Sequence, residues 1–128
     1  MHAVDTNVLV RLLTGDDVEQ TKRAAALFKK TIFIPKTVLL ETEWVLRRLY
    51  RLERKAVVSA FRKVSGLANV EIENPLAVTQ ALQWCDGGMD FADALHLASS
   101  HASEKFATFD AQLKKSASRE IKPSILLL

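Results

Sequence analysis

Hydrophobic and polar positions alternate in two patterns along the chain, short apolar runs and longer stretches with a helical period. The opening MHAVDTNVLVRLL starts with an apolar run over residues 2–4, which predicts a first strand. From Thr6 onward apolar residues recur at helical spacing, and the pattern resumes in VEQTKRAAALFKK after a break at Gly15 and two aspartates. A helical hairpin is therefore predicted to follow the first strand.

The same alternation continues to the end of the chain. TIFIP, NVEIE, KFATFD and SILLL are short and rich in apolar residues, and each predicts a strand. Between them, helices are predicted over TVLLETEWVLRRLY, LERKAVVSAFRKVSGL, PLAVTQALQWC and DFADALHLASSHASEK. Strands separated by helices of crossover length predict an α/β fold with a mostly parallel central sheet of about five strands, covered by helices on both faces.

The helix predicted over TVLLETEWVLRRLY carries two glutamates in different surroundings. On a helical wheel, an apolar stripe is centred on Val38, Val45 and Leu49. Glu41 falls at the edge of this stripe with no cation three or four positions away, whereas Glu43 has Arg47 at i+4, which favours a simple exposed ion pair. Glu41 is therefore the candidate for chemistry, although a carboxylate that reaches water from the edge of the stripe is an equally good interpretation.

Composition indicates one domain spanning residues 1–128. Of the 128 residues, 48% are hydrophobic and 26% charged, with four Gly and three Pro, which is ordinary for a folded soluble protein. The lone Cys85 excludes an intramolecular disulfide and the start of the chain lacks a secretory pattern, so we expect a reducing, cytoplasmic location. No stretch approaches the roughly 18 apolar residues that span a bilayer, so no membrane association is expected.

Positive charge is concentrated in one segment, RRLYRLERK at residues 47–55. Five cations stand there against the single acid Glu53, a local net charge of +4, whereas the whole chain carries +3. Such a segment attracts a phosphate backbone, although most segments of this kind are solvated helix faces. The candidate contacts for a nucleic acid are Arg47, Arg48, Arg51, Arg54 and Lys55, which we call the basic strip.

Two predicted strands end in an aspartate that is followed by a helix. Asp5 follows the first strand and Asp110 follows the fourth. Each aspartate can cap its helix by accepting hydrogen bonds from the first backbone N–H groups, and Asn7 is an alternative cap near Asp5. Both acids also follow parallel strands directly, at the sheet edge where α/β folds gather their ligands.

A further pair of acids stands in GMDFADALHLASS. Asp90 and Asp93 are three positions apart at a predicted helix start, which suits an N-cap and an acid near the positive end of the helix dipole. An acid in this first turn can also face a metal ion. Both interpretations of the pair remain open at this point.

Jointly, four acids stand where a parallel sheet can bring them into one crevice: Asp5, Glu41, Asp93 and Asp110. Adjacent carboxylates repel one another unless a cation lies among them, and oxygen ligands without clustered Cys or His favour Mg²⁺ or Mn²⁺ over zinc. The sequence contains neither a nucleotide-binding glycine loop nor a nucleophile elbow, which excludes those catalytic classes.

Four blocks of the sequence, DTNVLVRLLTGDD, TVLLETEWVL, DFADALHLA and ATFD, resemble in order the successive motifs of PIN-domain ribonucleases. The resemblance is closer still to the VapC toxins of VapBC toxin–antitoxin pairs, and it extends over nearly the whole chain. It implies a three-layer α/β/α sandwich, an acid cluster that binds Mg²⁺ or Mn²⁺, and hydrolysis of RNA phosphodiesters by metal-activated water. It also implies a homodimer bound by a VapB-type antitoxin.

By position, the resemblance makes Asp5, Glu41 and Asp93 the three recurring acids and Asp110 the more variable fourth. The polar neighbours expected to support these acids are Thr6, Asn7, Asp90 and Thr108. Asp5 is expected to ligate metal while Asn7 or Thr6 caps the helix. Many relatives carry a further acid after the TFD block, where Gln112 and Leu113 stand here, so a complete second metal site is not predicted.

Other classes of protein use the same features. A non-toxin PIN-fold nuclease or RNA-binding module would share the sequence blocks, and a metal-dependent DNA nuclease or phosphatase would use the same acids. Composition does not separate these alternatives from a toxin.

Overall fold

In the computed structural model of the chain, which describes residues 1–117 and 120–128, seven helices alternate with five short strands. The strands are β1 (His2–Ala3), β2 (Ile32–Ile34), β3 (Val70–Ile72), β4 (Lys105–Thr108) and β5 (Ser124–Leu127). The helices are α1 (Thr6–Thr14), α2 (Val18–Leu27), α3 (Lys36–Arg48), α4 (Arg54–Ser65), α5 (Pro75–Asp86), α6 (Phe91–Ser99) and α7 (Ala111–Ser116). The predicted order of strands and helices is confirmed, and no helix in the described ranges is long and apolar enough to cross a membrane.

The described residues form two compact units, Met1–Pro75 and Leu76–Leu128. In the first unit the strands pair in parallel in the order β1-β2-β3, with Ile32 opposite both His2 and Val70. Ile32 in the middle strand is fully buried, because the helices that connect parallel strands cover the sheet. At the carboxyl edge of this sheet, β1 leads within two residues into Asp5.

The predicted helical hairpin is formed by α1 and α2. Gly15 ends α1 with φ 67°, a left-handed conformation that a side chain would make costly. Asp17 caps α2 by accepting a hydrogen bond from the backbone N–H of Gln20 at 2.9 Å. Gly15 and Asp17 therefore separate α1 from α2, as the sequence predicts.

Asp16 fixes the turn between these two helices. Its carboxylate accepts a hydrogen bond from the Tyr50 hydroxyl at 2.5 Å and lies 3.3 Å from the Arg11 guanidinium. The hydrogen bond from Tyr50 is the main reason that the pKa of Asp16 lies below its ordinary value, with smaller contributions from Thr14 and Arg11. The turn is thus connected to the chain just beyond α3.

α3 buries a different face from the one expected. The face packed into the interior consists of Leu39, Thr42 and Leu46. The prediction of a stripe centred on Val38, Val45 and Leu49 is wrong, because Leu49 is 68% exposed and the two valines are only half-buried. The pattern counts Thr42 as polar, yet it is fully buried at the centre of the packed face. Glu41 consequently lies on the exposed side of the helix.

In the second unit β4 and β5 pair in parallel, with Phe106 opposite Ile125. The prediction of one central sheet of about five strands needs correction in this detail. Five parallel strands occur in the described part of the chain, but their hydrogen bonds form one sheet of three strands and one of two. Local sequence predicts each strand, whereas pairing depends on hydrogen bonds between segments far apart in sequence.

α6 is shorter than DFADALHLASSHASEK predicts. It ends at Ser99, and the hydroxyl of Ser100 donates a hydrogen bond to the backbone carbonyl of His96 at 2.8 Å. Residues 101–105 are exposed, so no buried contact extends the helix into this serine-containing segment.

Candidate active site

The acid at the end of β1 caps the next helix. Asp5 is the N-cap of α1, and its Oδ1 accepts a hydrogen bond from the backbone N–H of Thr6 at 2.7 Å. The expectation that Asn7 or Thr6 caps this helix is therefore wrong, because extended backbone at Asp5 places its own carboxylate beside the helix start. Oδ2 of Asp5 takes no hydrogen bond from the described residues, so one carboxylate oxygen stays available to a ligand.

Glu41 is held at the same helix start. The hydroxyl of Thr6, a residue only 5% exposed, donates a short hydrogen bond to Oε1 of Glu41 on α3. Thr6 therefore contacts two of the predicted acids, Asp5 through its backbone N–H and Glu41 through its hydroxyl. The sequence also allowed Glu41 to be a surface carboxylate that only reaches water. The hydrogen bond from the buried Thr6 hydroxyl shows that the Glu41 side chain is held in place instead.

Glu43 forms the expected ion pair. Its Oε2 lies 3.8 Å from Nε of Arg47, four positions along α3. The Glu43 side chain is only 14% exposed, so the pair is less open to solvent than the sequence suggested. Glu43 therefore provides a control acid on the same helix as Glu41.

In the second unit, Asp90 and Asp93 occupy the first turn of α6 as predicted. Asp90 is the N-cap and accepts a hydrogen bond from the backbone N–H of Asp93 at 3.2 Å. Burial raises the pKa of Asp93 above its ordinary value, and the negative charges of Asp90 and Asp110 raise it further, while His96 acts in the opposite direction. The ionised form of Asp93 is therefore disfavoured, as expected for a carboxylate close to other negative charges.

Asp110 forms hydrogen bonds through both its side chain and its backbone. It caps α7, accepting hydrogen bonds from the N–H groups of Gln112 at 2.8 Å and Leu113 at 3.3 Å. Its own backbone N–H donates to the Thr108 hydroxyl at 3.0 Å. The supporting role of Thr108 in a metal site stays a prediction. The two residues that replace a further acid here contact Asp110 through their backbone instead.

Each unit by itself brings acids together, Asp5 with Glu41 in the first and Asp93 with Asp90 and Asp110 in the second. Within residues 1–117 and 120–128, no group of three or more His, Cys, Asp or Glu side chains is arranged to hold a metal ion. The convergence of all four predicted ligands on one metal therefore stays a prediction.

Asn7 has a different environment from the other predicted supporting residues. Its side chain is exposed and lines a cavity of about 380 Å³ between α1 and α2, together with Arg11 and Arg23. The described residues provide no hydrogen bond between Asn7 and an acid. The proposed orienting role of Asn7 stays a prediction.

The basic strip occupies the end of α3, the following loop and the first turn of α4. Arg48, Arg51 and Lys55 are exposed, and Arg51 has φ 56° in the loop. Arg47 pairs with Glu43, so its charge is partly compensated. The strip therefore presents its positive charge to solvent at the carboxyl end of the helix that carries Glu41.

Trp44 is a surface feature of this region that the helical wheel did not reveal. The Trp44 residue is 53% exposed, because the packed face of α3 is centred on Thr42. A sequence signal was available, since Trp44 stands three positions after Glu41 and therefore shares its side of the helix.

The geometry defines an α/β protein with parallel strands, in which Asp5 and Asp110 each lie where a strand leads into a helix. A family model for the PIN domain matches residues 3–118, and the chain belongs to this family, whose members are nucleases. The predicted fold class and PIN membership are thus confirmed.

The similarity of the chain to an individual solved structure is low in sequence identity. Among solved structures, the chain is similar to the Mycobacterium tuberculosis toxin VapC20, described as cleaving the sarcin–ricin loop. The two are 23% identical, the match covers 94% of this chain and 98% of that chain, and the TM-score is 0.44. No curated protein sequence matches the chain.

Proposed function

We propose that the chain is a divalent-metal-dependent endoribonuclease that acts as the toxin of a VapBC-type toxin–antitoxin pair. The observation that carries the proposal is the contact of Asp5 and Glu41 with one residue, Thr6, at the carboxyl end of β1. Membership of the PIN family supports nuclease chemistry. The order of the sequence blocks supports the assignment to VapC toxins.

The donor set fits a hard divalent cation. The proposed ligands Asp5, Glu41, Asp93 and Asp110 are all carboxylates, which Mg²⁺ and Mn²⁺ prefer. The raised pKa of Asp93 supports this choice, since a nearby dication would offset the like charges that oppose its ionisation. When bound, Mg²⁺ or Mn²⁺ supplies Lewis acidity at the phosphate and lowers the pKa of a coordinated water.

The residues around the acids would reduce the freedom of the carboxylates before any ligand binds. Thr6 restrains Asp5 and Glu41, while Thr108 and the first turn of α7 restrain Asp110. Fixed carboxylates lose less conformational entropy on binding a metal or on orienting a water molecule. We propose that water, rather than the ribose 2′-hydroxyl, attacks the phosphorus, so the products contain no 2′,3′-cyclic phosphate.

The partners follow from the same proposal. A cytoplasmic nuclease of this kind requires restraint, and we propose a VapB-type antitoxin bound to a homodimer of the chain. The basic strip is the candidate contact for either the RNA or the antitoxin, because its exposed cations adjoin the helix that carries Glu41.

The test compares substrates side by side with the purified full chain. A defined single-stranded RNA, the matching DNA and a phosphomonoester are each incubated with Mg²⁺, with Mn²⁺ and with EDTA. We expect cleavage of RNA alone, loss of cleavage in EDTA and recovery when metal is restored. Cleavage that persists in chelator would contradict the metal mechanism.

The other arms decide between the alternatives. Equal cleavage of DNA indicates a DNA nuclease, release of phosphate from the monoester indicates a phosphatase, and binding without cleavage indicates an RNA-binding module. Sequencing the RNA ends that appear after induction of the gene identifies the cellular target.

A further inference from the structure

The exposed face of α3 carries a row of four side chains in helical register. Thr37, Glu41, Trp44 and Arg48 follow one another at spacings of four, three and four positions, and all four are exposed. Residues three and four apart are neighbours on a helix surface, with about 5–6 Å between their Cβ atoms. Trp44 therefore adjoins Glu41 on one side and Arg48 on the other.

Trp44 is unusual on this face because a large aromatic ring is left in contact with water. It is 53% exposed, whereas the other tryptophan of the chain, Trp84 on α5, is half-buried. Scattered exposed apolar residues are common and need no explanation by themselves. The Trp44 ring lies about one helical turn from Glu41, so the charges near the ring affect which ligand can bind there.

On the side of Trp44 away from Glu41, the charge is positive and uncompensated. Arg48 is exposed and forms no ion pair with any described residue, in contrast to Arg47, which pairs with Glu43. Arg51 in the following loop is also exposed. An exposed aromatic ring with free cations beyond it along the helix is a combination that binds single-stranded nucleic acid, in which bases stack on the ring and cations contact phosphates.

We propose that Trp44 is a stacking platform for a base of the RNA strand whose phosphodiester lies at Glu41, with Arg48 contacting a phosphate farther along the strand. This inference rests on the proposed ribonuclease function. From Glu41 to Arg48 the helix rises about 10 Å, which equals roughly three stacked nucleotides at about 3.4 Å each. Every base has a π-face, so Trp44 contributes affinity for the strand without reading its sequence.

The two tryptophans allow a direct measurement. Trp84→Phe leaves Trp44 as the only indole in the chain, and Glu41→Gln in the same protein prevents cleavage. This double variant is titrated, without metal, with an unstructured single-stranded RNA and with an abasic strand of the same length. We expect quenching of Trp44 fluorescence by the RNA and little quenching by the abasic strand, since only the RNA has bases to stack.

Affinity gives an independent readout. Trp44→Ala is expected to weaken RNA binding roughly 5- to 150-fold. Trp44→Phe keeps an aromatic ring and should retain part of the affinity, whereas Trp44→Leu keeps apolar surface and should lose it. Leu49→Ala is the matched control, because Leu49 is a 68% exposed apolar residue close to Trp44 in sequence, and it should bind RNA like the wild type.

The proposal is overturned by unchanged fluorescence on RNA binding, by wild-type affinity in a Trp44→Ala protein that melts normally, or by equal weakening in Leu49→Ala. The last result would indicate a general apolar contact, such as a protein partner. Cleavage by Trp84→Phe with Glu41 intact tests the nuclease function separately. Quenching without cleavage supports the stacking site while the nuclease proposal fails, and normal cleavage with an unchanged KM in Trp44→Ala overturns the stacking site alone.

Discussion

The hydroxyl of Thr6 in the first turn of α1 donates a hydrogen bond to the carboxylate of Glu41 on α3, although the two residues are 35 positions apart. Thr6 is buried and Glu41 is exposed, so an interior residue determines where a surface acid points. The backbone N–H of Thr6 also holds Asp5. Thr6 is thus the residue through which the first unit arranges its two proposed metal ligands.

Glu41→Gln is expected to abolish RNA cleavage and to leave the free energy of unfolding of the metal-free protein unchanged or higher. Gln keeps an oxygen that accepts the hydrogen bond from Thr6, while the charge needed for metal binding is lost along with any repulsion from Asp5. Cleavage in Mg²⁺ and thermal melts in EDTA measure the two effects.

Glu43→Gln is the control for this change. It should retain cleavage and lose at most about 0.5 kcal/mol from its ion pair with Arg47. Full activity in Glu41→Gln, or equal losses in the two variants, would remove Glu41 from the site.

Thr6→Val should lower cleavage about 10- to 100-fold, the usual effect of removing a side chain that orients a metal ligand. Valine has nearly the same shape as threonine but cannot donate to Glu41, so the unfolding free energy should fall by about 0.5–1.5 kcal/mol. Thr6→Ser keeps the hydroxyl and should restore most of the activity. Metal titrations separate weaker metal binding from a general loss of stability, and equal activity in the Val and Ser variants would contradict the orienting role.

Asp93 should make the stability of the metal-free protein depend on pH. Its pKa is raised in the folded state by burial and by the charges of Asp90 and Asp110. Its stabilising contribution is therefore complete below the pKa of the unfolded chain and is lost as the pH rises through the folded pKa. Asp93→Asn should remove this dependence, so at neutral pH the variant is at least as stable as the wild type, which regains the difference on acidification.

Asp16 serves as a control of opposite sign. Its pKa is lowered, chiefly by the hydrogen bond from Tyr50, so its contribution is present above the unfolded pKa and is lost as the pH falls. Thermal melts in EDTA from about pH 2 to about pH 7, a range that extends below the ordinary aspartate pKa of about 3.9, compare Asp93→Asn, Asp16→Asn and the wild type. Parallel curves for Asp93→Asn and the wild type would show that Asp93 is not perturbed.

Reversing charge in the basic strip should weaken binding to RNA or to the antitoxin. Arg51→Glu with Arg54→Glu changes the local charge by four units, from two cations to two anions, at the loop and first turn of α4. A glutamate in that first turn suits the helix dipole, and thermal melts of the variant separate a loss of binding from a loss of stability. Binding to RNA and to the small protein encoded beside the gene is measured separately, and wild-type binding to both would show that the strip is a solvated face.

Growth provides the test of the toxin assignment. Expression of the chain should arrest growth, and co-expression of the neighbouring small protein should relieve the arrest by binding the chain. A neighbouring product that neither binds nor neutralises would count against a VapBC pair, although nuclease activity could still be present.

The sequence by itself determined the order of the strands and helices and several of the residues that cap them. The strand at residues 2–4, the break at Gly15 and the acids at helix starts were all predictable, and Asp90 and Asp110 cap their helices as expected. These features depend on side chains and backbone groups within about four positions of one another, so local sequence contains the necessary information.

The tertiary structure alone decided which face of α3 is buried and what its acids contact. Thr42 lies fully buried where a polarity pattern predicts an outward side chain, and this register exposes Trp44 and Leu49. The Thr6–Glu41 hydrogen bond and the pairing of the five parallel strands into two sheets likewise depend on segments far apart in sequence. Such contacts depend on how distant elements pack, because burial and hydrogen bonding across elements outweigh the weak preference of any single position for one side of a helix.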